Sequence, residues 1–358
     1  MRKTITLLIC LALVFSLVTG CGANNAGKSG NTTTETTATP NETAGREAAG
    51  DALKTGMAVI TSIASSKDAG EKDGLAQVDS TVAAVTLDKD GKIVDCKIDV
   101  AQTKINFSKE GKITTALDTV FKSKQDLGTE YGMAKNSGIQ KEWNEQANAF
   151  AEYVKGKTVE EVKGISLNEE GRPADKELTA SVTIHVNEFI EAIEKAAANA
   201  KDLGAKRGDK LGLGVFTTIS KSADATAEKD GVAQAYTNYS ATTFSSDGKI
   251  TSCIIDASQT DVNFSVDGKL KTDLNTEFKT KDELGEAYGM KKQSKIGKEW
   301  SEQAAALASY VVGKTVDQVK GIAVNEEGVP TEAELTSSVT IHIGDYITVI
   351  EKAAASAK

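Results

Sequence analysis

The sequence predicts an α+β fold built twice, an antiparallel sheet covered by helices in each copy, and three observations predict it. Residues Gly74–Lys201 align with Gly231–Lys358 at a constant offset of 157 with no gap, and 73 of those 128 positions are identical. Within each copy the Val-, Ile- and Thr-rich runs come first and the runs with helical spacing come after them. Strands followed by helices, rather than alternating with them, point to α+β and not to a parallel α/β sheet. A period of 157 is also far beyond the roughly 20–50 residues of solenoid repeats, so each copy is expected to be a complete domain.

Ahead of the repeats, Arg2 and Lys3 precede an apolar run from Ile5 to Val18 that ends in Val18-Thr19-Gly20-Cys21. A charged start and a short apolar stretch make an export signal over residues 1–20, too short for a comfortable membrane span. Its end resembles the bacterial lipobox, which implies lipid transfer to the Cys21 thiol and cleavage just before it. Lipid chains hold a protein at a membrane by hydrocarbon burial, about 0.8 kcal/mol per CH₂. Residues 21–50 are Thr, Asn, Gly and Ala with almost no large apolar side chain, so they read as a disordered tether reaching roughly 30 Å.

Copy one is expected over residues 51–203. Met57–Ile63, Val78–Leu87 and Lys92–Asp99 read as strands, with Asp-Gly turns at Asp73-Gly74 and Asp90-Gly91. In the third, Val94, Cys96 and Ile98 share one face, and Asp95, Lys97 and Asp99 share the other. A separate hairpin arm is expected at Lys104–Phe107, returning through Glu110-Gly111. Helices follow: a short one near Gln125–Tyr131, then an amphipathic one from Ile139 to Val154 carrying Ile139, Trp143, Ala147, Phe150 and Val154. Glu142, Glu145, Glu299 and Glu302 flank this stripe and its repeat as a solvated face. The last helix is expected to start near Asn187, a residue suited to an N-cap. Copy two, residues 208–358, repeats the series after a short polar join, Lys201–Lys210.

Composition limits the chemistry. The chain has 358 residues, a formal charge of −9 and a pI near 5.1, which argues against nucleic acid as a partner. Two histidines exclude a His-rich metal site, and four cysteines without a CxxC exclude zinc ribbons and a dense disulfide scaffold. Cys96 and Cys253 occupy equivalent positions and read as small core residues, and each copy offers one His and one Cys, so no metal is expected. GxSxG, a P-loop and any His/Cys/Asp set with catalytic spacing are absent from the sequence, so no catalytic residue is assigned.

The most informative segment precedes the last helix: Leu178-Thr179-Ala180-Ser181-Val182-Thr183-Ile184-His185, repeated as Leu335 to His342. Hydroxyls before a helix start offer donors to an anion; the same residues also read as a plain β-strand feeding the helix. This segment, the early Asp90-Gly91-Lys92-Ile93, the terminal helix Asn187–Ala200, Tyr131-Gly132-Met133 and Ile139–Trp143 resemble the FMN-binding domain of Gram-positive extracytoplasmic lipoproteins and of periplasmic redox subunits. Coverage is nearly the whole of each copy. That family attaches FMN through a hydroxyl in Ser/Thr-Gly-Ala-Ser/Thr-x-Ser/Thr. Laid on this chain, Ser181-Val182-Thr183 and Ser338-Val339-Thr340 fall on Gly-Ala-Thr, and His185 and His342 fall on the attachment residue. Imidazole forms no stable phosphoester, so the resemblance implies non-covalent FMN at up to one per copy, near Ser181, Thr183, His185, Ser338, Thr340 and His342.

The resulting expectation is a membrane-tethered, extracytoplasmic flavin electron carrier with a redox partner at the cell surface. The alternative is a cofactor-free surface module for a small ligand, a glycan or a protein. The anchor has a direct test: Cys21→Ala is expected to move the protein from the membrane fraction into the medium, and unchanged retention in a fractionation blot overturns the lipid anchor.

Overall fold

A computed structural model of the protein describes residues 52–358. The signal, the tether and Cys21 lie outside the described residues. In copy one, β1 (Ala52–Ser62), β2 (Gly74–Leu87) and β3 (Ile93–Phe107) pair antiparallel in chain order, Gly56 opposite Val85 and Val85 opposite Cys96. The β2–β3 turn uses Asp90-Gly91 with Gly91 at φ 75°, a conformation that glycine takes without a Cβ clash. Lys104–Phe107 is not a separate arm. It continues β3, because β2 begins early enough to pair Gly74 with Phe107, and the Glu110-Gly111 turn returns only as a single bridge from Phe107 to Ile113.

Helices then cover one face of the sheet. α1 (Lys124–Leu127) runs into a 3₁₀ turn, Gly128–Tyr131, and is followed by α2 (Trp143–Tyr153), α3 (Val159–Lys163), α4 (Lys176–Thr179) and α5 (Asn187–Ala198). α2 starts at Trp143 and not at Ile139. Gln140 sits at φ 54°, where Gly297 in copy two has φ 62°, and a left-handed residue cannot be part of a right-handed helix. Glu142 and Glu299 are buried rather than solvated. Each ties down the preceding loop: Glu142 accepts from Met133 N–H at 2.8 Å, and Glu299 from Met290 N–H at 2.9 Å. Glu145 and Glu302 close the helix starts by accepting from the N–H of Glu142 (2.8 Å) and of Glu299 (2.7 Å). The last helix is capped by Val186, with Asn187 already its first residue.

Copy two repeats this as β5 (Lys210–Thr218), β6 (Gly231–Phe244), β7 (Ile250–Phe264), α6 (Lys281–Leu284), α7 (Trp300–Val311), α8 (Val316–Lys320), α9 (Ala333–Thr336) and α10 (Gly344–Ser356). The polar join is itself a strand, β4 (Lys201–Lys206), paired with β1, so the sheets run β3-β2-β1-β4 and β5-β6-β7. α5 lies so close to β1 that a Cβ on Gly56 would stand 1.9 Å from the Ala196 carbonyl oxygen; Gly212 meets Ala353 in the same way under α10.

Both faces of each sheet are buried. On the helix side of copy one, Val85, Ile98 and Val100 meet Trp143, Phe150, Phe189 and Ile193. The opposite faces meet each other. Met57, Val59, Val82 and Ala84 pack against Leu213, Val215, Tyr239 and Ala241, while Phe107 and Phe264 stack with centroids 4.3 Å apart and planes 12° from parallel. The contacts are reciprocal. Ala69 N–H donates to Gly268 O (2.8 Å) as Ala225 N–H does to Gly111 O (2.7 Å), and Leu270 N–H donates to Asp68 as Ile113 N–H does to Asp224, both at 2.8 Å. Lys195 pairs with Glu283 and Lys352 with Asp126. This is the self-complementary pattern of a two-fold dimer, written into one chain.

A buried carboxylate marks the edge of each sheet. Asp99 and Asp256, placed by alternation on the polar face of their strands, are 5% and 8% exposed. Asp99 Oδ1 accepts from Gln125 N–H at 3.0 Å and Asp256 Oδ1 from Asp282 N–H at 3.1 Å, at the starts of α1 and α6. Burial pushes both carboxyls up to about 7, against the hydrogen bonds from Ser123 and Thr280 and from the backbone.

Two outcomes are expected. Phe107→Ala should lower unfolding stability by about 3–5 kcal/mol, Phe264→Ala by a similar amount, and the double variant by less than their sum because both empty one stack; urea denaturation checks this. For Asp99 and Asp256 the folded pKa lies above the unfolded one, so between about pH 4 and 7 the native state holds more protons and stability falls as pH rises. Asp99→Asn with Asp256→Asn should flatten that part of a Tm-against-pH curve; an unchanged slope would exclude these carboxyls as its source.

Candidate functional site

The helix-covered face of copy one is not fully sealed. A groove of about 850 Å³ opens there, within the size range of small-molecule sites. Its floor is Asp79 and Thr81 of β2 and Val100 and Gln102 of β3. Tyr131, Met133 and Trp143 form one wall; Arg172, the turn Thr183–His185 and the first residues of α5 form the other.

The turn that carries the sequence-predicted residues is held by one side chain. Gln146, fully buried on α2, accepts from Thr183 N–H at 2.8 Å and from Thr183 Oγ1 at 3.2 Å, while its amide donates to Lys141 O and Ser137 Oγ. Val186 N–H is taken by Gly171 O at 2.9 Å. With these donors satisfied and no neighbouring strand edge, residues 178–185 form the end of α4 and a turn, not a β-strand. Gln303 repeats the clamp on Thr340 at 2.8 Å and 3.1 Å. Sequence reasoning passed over Gln146 and Gln303; a polar residue at the same place in both copies, inside the apolar stripe Trp143–Ala147–Phe150, was the available signal.

Of the six predicted binding residues, the structure brings only Thr183 and His185 to the groove in copy one. The Thr183 hydroxyl is already committed to Gln146. Ser181 and Ser338 lie behind it, each donating its hydroxyl to a helix-end carbonyl, of Leu178 and Leu335, at 3.2 Å. In copy two Thr340 lines a groove of about 690 Å³ that lacks His342. His342 covers Gly328, where a Cβ would stand 2.2 Å from its ring. It has room there because Gly344 replaces Asn187, whose side chain fills the matching space over Gly171 in copy one.

Charge also differs from the sequence expectation. The helix start that an anion would approach already carries Glu188, which accepts from Thr81 Oγ1 at 2.7 Å and complements the helix dipole itself. The cations at the groove are Arg172 and Lys124, with His185 exposed at its lip. Lys124 Nζ lies 5.1 Å from the Tyr131 ring centroid and 5.2 Å from that of Trp143. Trp143 meets Phe189 edge-on at 5.8 Å.

The equivalent aromatic box in copy two is closed. Tyr236 stands where copy one has Asp79, and Tyr346 where it has Phe189. Lys281, 5% exposed, donates to the Tyr236 hydroxyl at 2.8 Å and lies over the rings of Tyr236, Tyr288 and Trp300. Burial pulls its ammonium down to about 8, with Asp256 opposing. Trp300 Nε1 donates to the Tyr346 hydroxyl at 2.9 Å, and the two phenol oxygens are 3.3 Å apart.

The buried thiols are poor nucleophiles. Burial pushes Cys96 far up and Cys253 up to about 11, the latter against hydrogen bonding from Thr242 and Ser240. Among the described residues no group of three His, Cys, Asp or Glu side chains is placed to hold a metal, and no helix is long and apolar enough to cross a membrane. No protein-family model matches the chain, and comparison with curated proteins and with solved structures returns no significant match.

Proposed function

We propose that the groove of copy one binds FMN non-covalently and that the chain is a lipid-tethered extracytoplasmic electron carrier. The observation that carries this reading is coincidence of place. The segment aligned with the family's attachment motif delivers Thr183 and His185 to an 850 Å³ groove that also has an aromatic wall and two cations, Arg172 and Lys124. Tyr131, Trp143 and Phe189 suit a planar ring system, and Arg172 and His185 at the outer rim suit a phosphate. FMN would supply the redox chemistry; the chain's part is to hold and orient it and to keep one face of the ring from water. His185 then serves as a hydrogen-bond donor, not as an attachment point.

A cofactor-free module for a small ligand is the second reading. What favours it is Glu188, whose carboxylate already occupies the helix start where a bound phosphate would gain most.

FMN titration of the purified protein, followed by flavin fluorescence, separates the two. Binding is expected, with no fluorescent band surviving a denaturing gel. Arg172→Ala and His185→Ala should each weaken it roughly ten- to hundred-fold, since one charge-assisted hydrogen bond contributes about 1.5–3 kcal/mol; His342→Ala should leave it unchanged. Absence of any FMN binding removes the flavin reading and leaves the second.

A further inference from the structure

The two copies differ at the one place where identity would be expected to matter most. Lys124 and Lys281, Tyr131 and Tyr288, Trp143 and Trp300, and Gln102 and Gln259 are the same pairwise. Yet the two donors of the box are satisfied only in copy two. There Trp300 Nε1 reaches the Tyr346 oxygen and Lys281 Nζ the Tyr236 oxygen. In copy one Phe189 and Asp79 replace these phenols. Trp143, 5% exposed and lining the groove, has no hydrogen-bond acceptor for its Nε1 among the described residues, and Lys124 Nζ donates to no oxygen there. Trp143 Nε1 is not among the buried polar atoms left without a partner: like the half-buried Lys124, it faces the open groove, where solvent reaches it. The same two donors meet phenol oxygens in copy two and open groove in copy one, which points to an acceptor in that space.

We infer that copy one holds a subsite for one planar aromatic ring bearing oxygen, and that copy two has this subsite filled by its own Tyr236 and Tyr346. The ring lies against Trp143, Tyr131 and Phe189, and its oxygen accepts from Trp143 Nε1 and Lys124 Nζ, as the phenols do in copy two. Asp79 accepts from a hydroxyl or ring N–H on the same ligand; its carboxylate is held in place by Gln77 Nε2 at 2.6 Å and Gln102 Nε2 at 2.9 Å. The ligand class is therefore a phenol, quinol or oxo-heteroaromatic, at one per chain. This deepens the flavin proposal by fixing its stoichiometry and the end of the molecule that enters first, but it stands on the box alone.

The chain has two tryptophans, one in each box, so the two indole N–H signals of a ¹⁵N-labelled sample report on the copies separately. 4-Methylphenol, the side chain of tyrosine, is the probe. Titration should move the Trp143 signal saturably and leave that of Trp300 in place, with Trp143→Phe assigning the peaks. Asp79→Tyr with Phe189→Tyr rebuilds the copy-two box, and should weaken the response roughly tenfold or more without loss of folding. Tyr236→Asp with Tyr346→Phe should make Trp300 respond as well. Equal movement of both signals in the parent chain, a stationary Trp143 signal, or an unchanged response in the Asp79→Tyr, Phe189→Tyr variant overturns the inference. FMN bound at two per chain overturns it while sparing the flavin proposal. A phenol response confined to Trp143 with no FMN binding does the reverse.

Discussion

The stack of Phe107 on Phe264 sits at the centre of a constraint that shapes everything else: each sheet has two apolar faces and each copy has helices for only one. Burying apolar surface contributes about 25 cal/mol per Å², so a face carrying Met57, Val59, Val82 and Ala84 must find a cover. The other copy supplies it. The reciprocal bonds of Ala69 with Gly268 and Ala225 with Gly111 then fix the rotation between the copies, since backbone groups shielded there need partners. The ion pairs at the rim are partly exposed and add orientation more than stability.

Because the shared interface uses one face of each sheet, the opposite faces are free to diverge. Gly56 and Gly212 bring α5 and α10 down onto their strands, which fixes the depth of the helix layer in both copies. The Gln146 and Gln303 clamps fix the turn beside it. Within that common frame, Tyr236 in place of Asp79 and Tyr346 in place of Phe189 fill the aromatic box beside Trp300 and Lys281, while a groove of about 690 Å³ remains next to Thr340. Lys281 ends up nearly buried and its ammonium weakened, whereas Lys124 remains at the edge of open space.

Polar groups that look surface-exposed in a strand or helix pattern are interior here for a definite reason. Asp99 and Asp256 lie where the shared interface meets the starts of α1 and α6, and Glu142 and Glu299 lie under the loops whose N–H groups they accept. In each, carboxyl oxygens meet N–H donors that would otherwise be unpaired. Their burial comes from the packing of segments distant in the chain.

By itself the sequence determined the duplication, the strand-then-helix order and most of the apolar helix faces, because periodicity and identity at fixed offset are local properties. It also determined that Cys96 and Cys253 are core residues. What only the tertiary structure decided is what those elements face. The merging of Lys104–Phe107 into β3 needed β2 as a partner. The start of α2 at Trp143 followed from Gln140 being left-handed, which nothing but Gly297 at the matching position hints at. Val182-Thr183-Ile184 has strong strand propensity, yet Gln146, 37 residues away, takes the backbone and makes a turn. Ser181 and Ser338 fell outside the groove and His342 turned onto Gly328 for similar reasons. Side-chain environment is set by contacts between residues far apart in the chain, and a single sequence does not encode those distances.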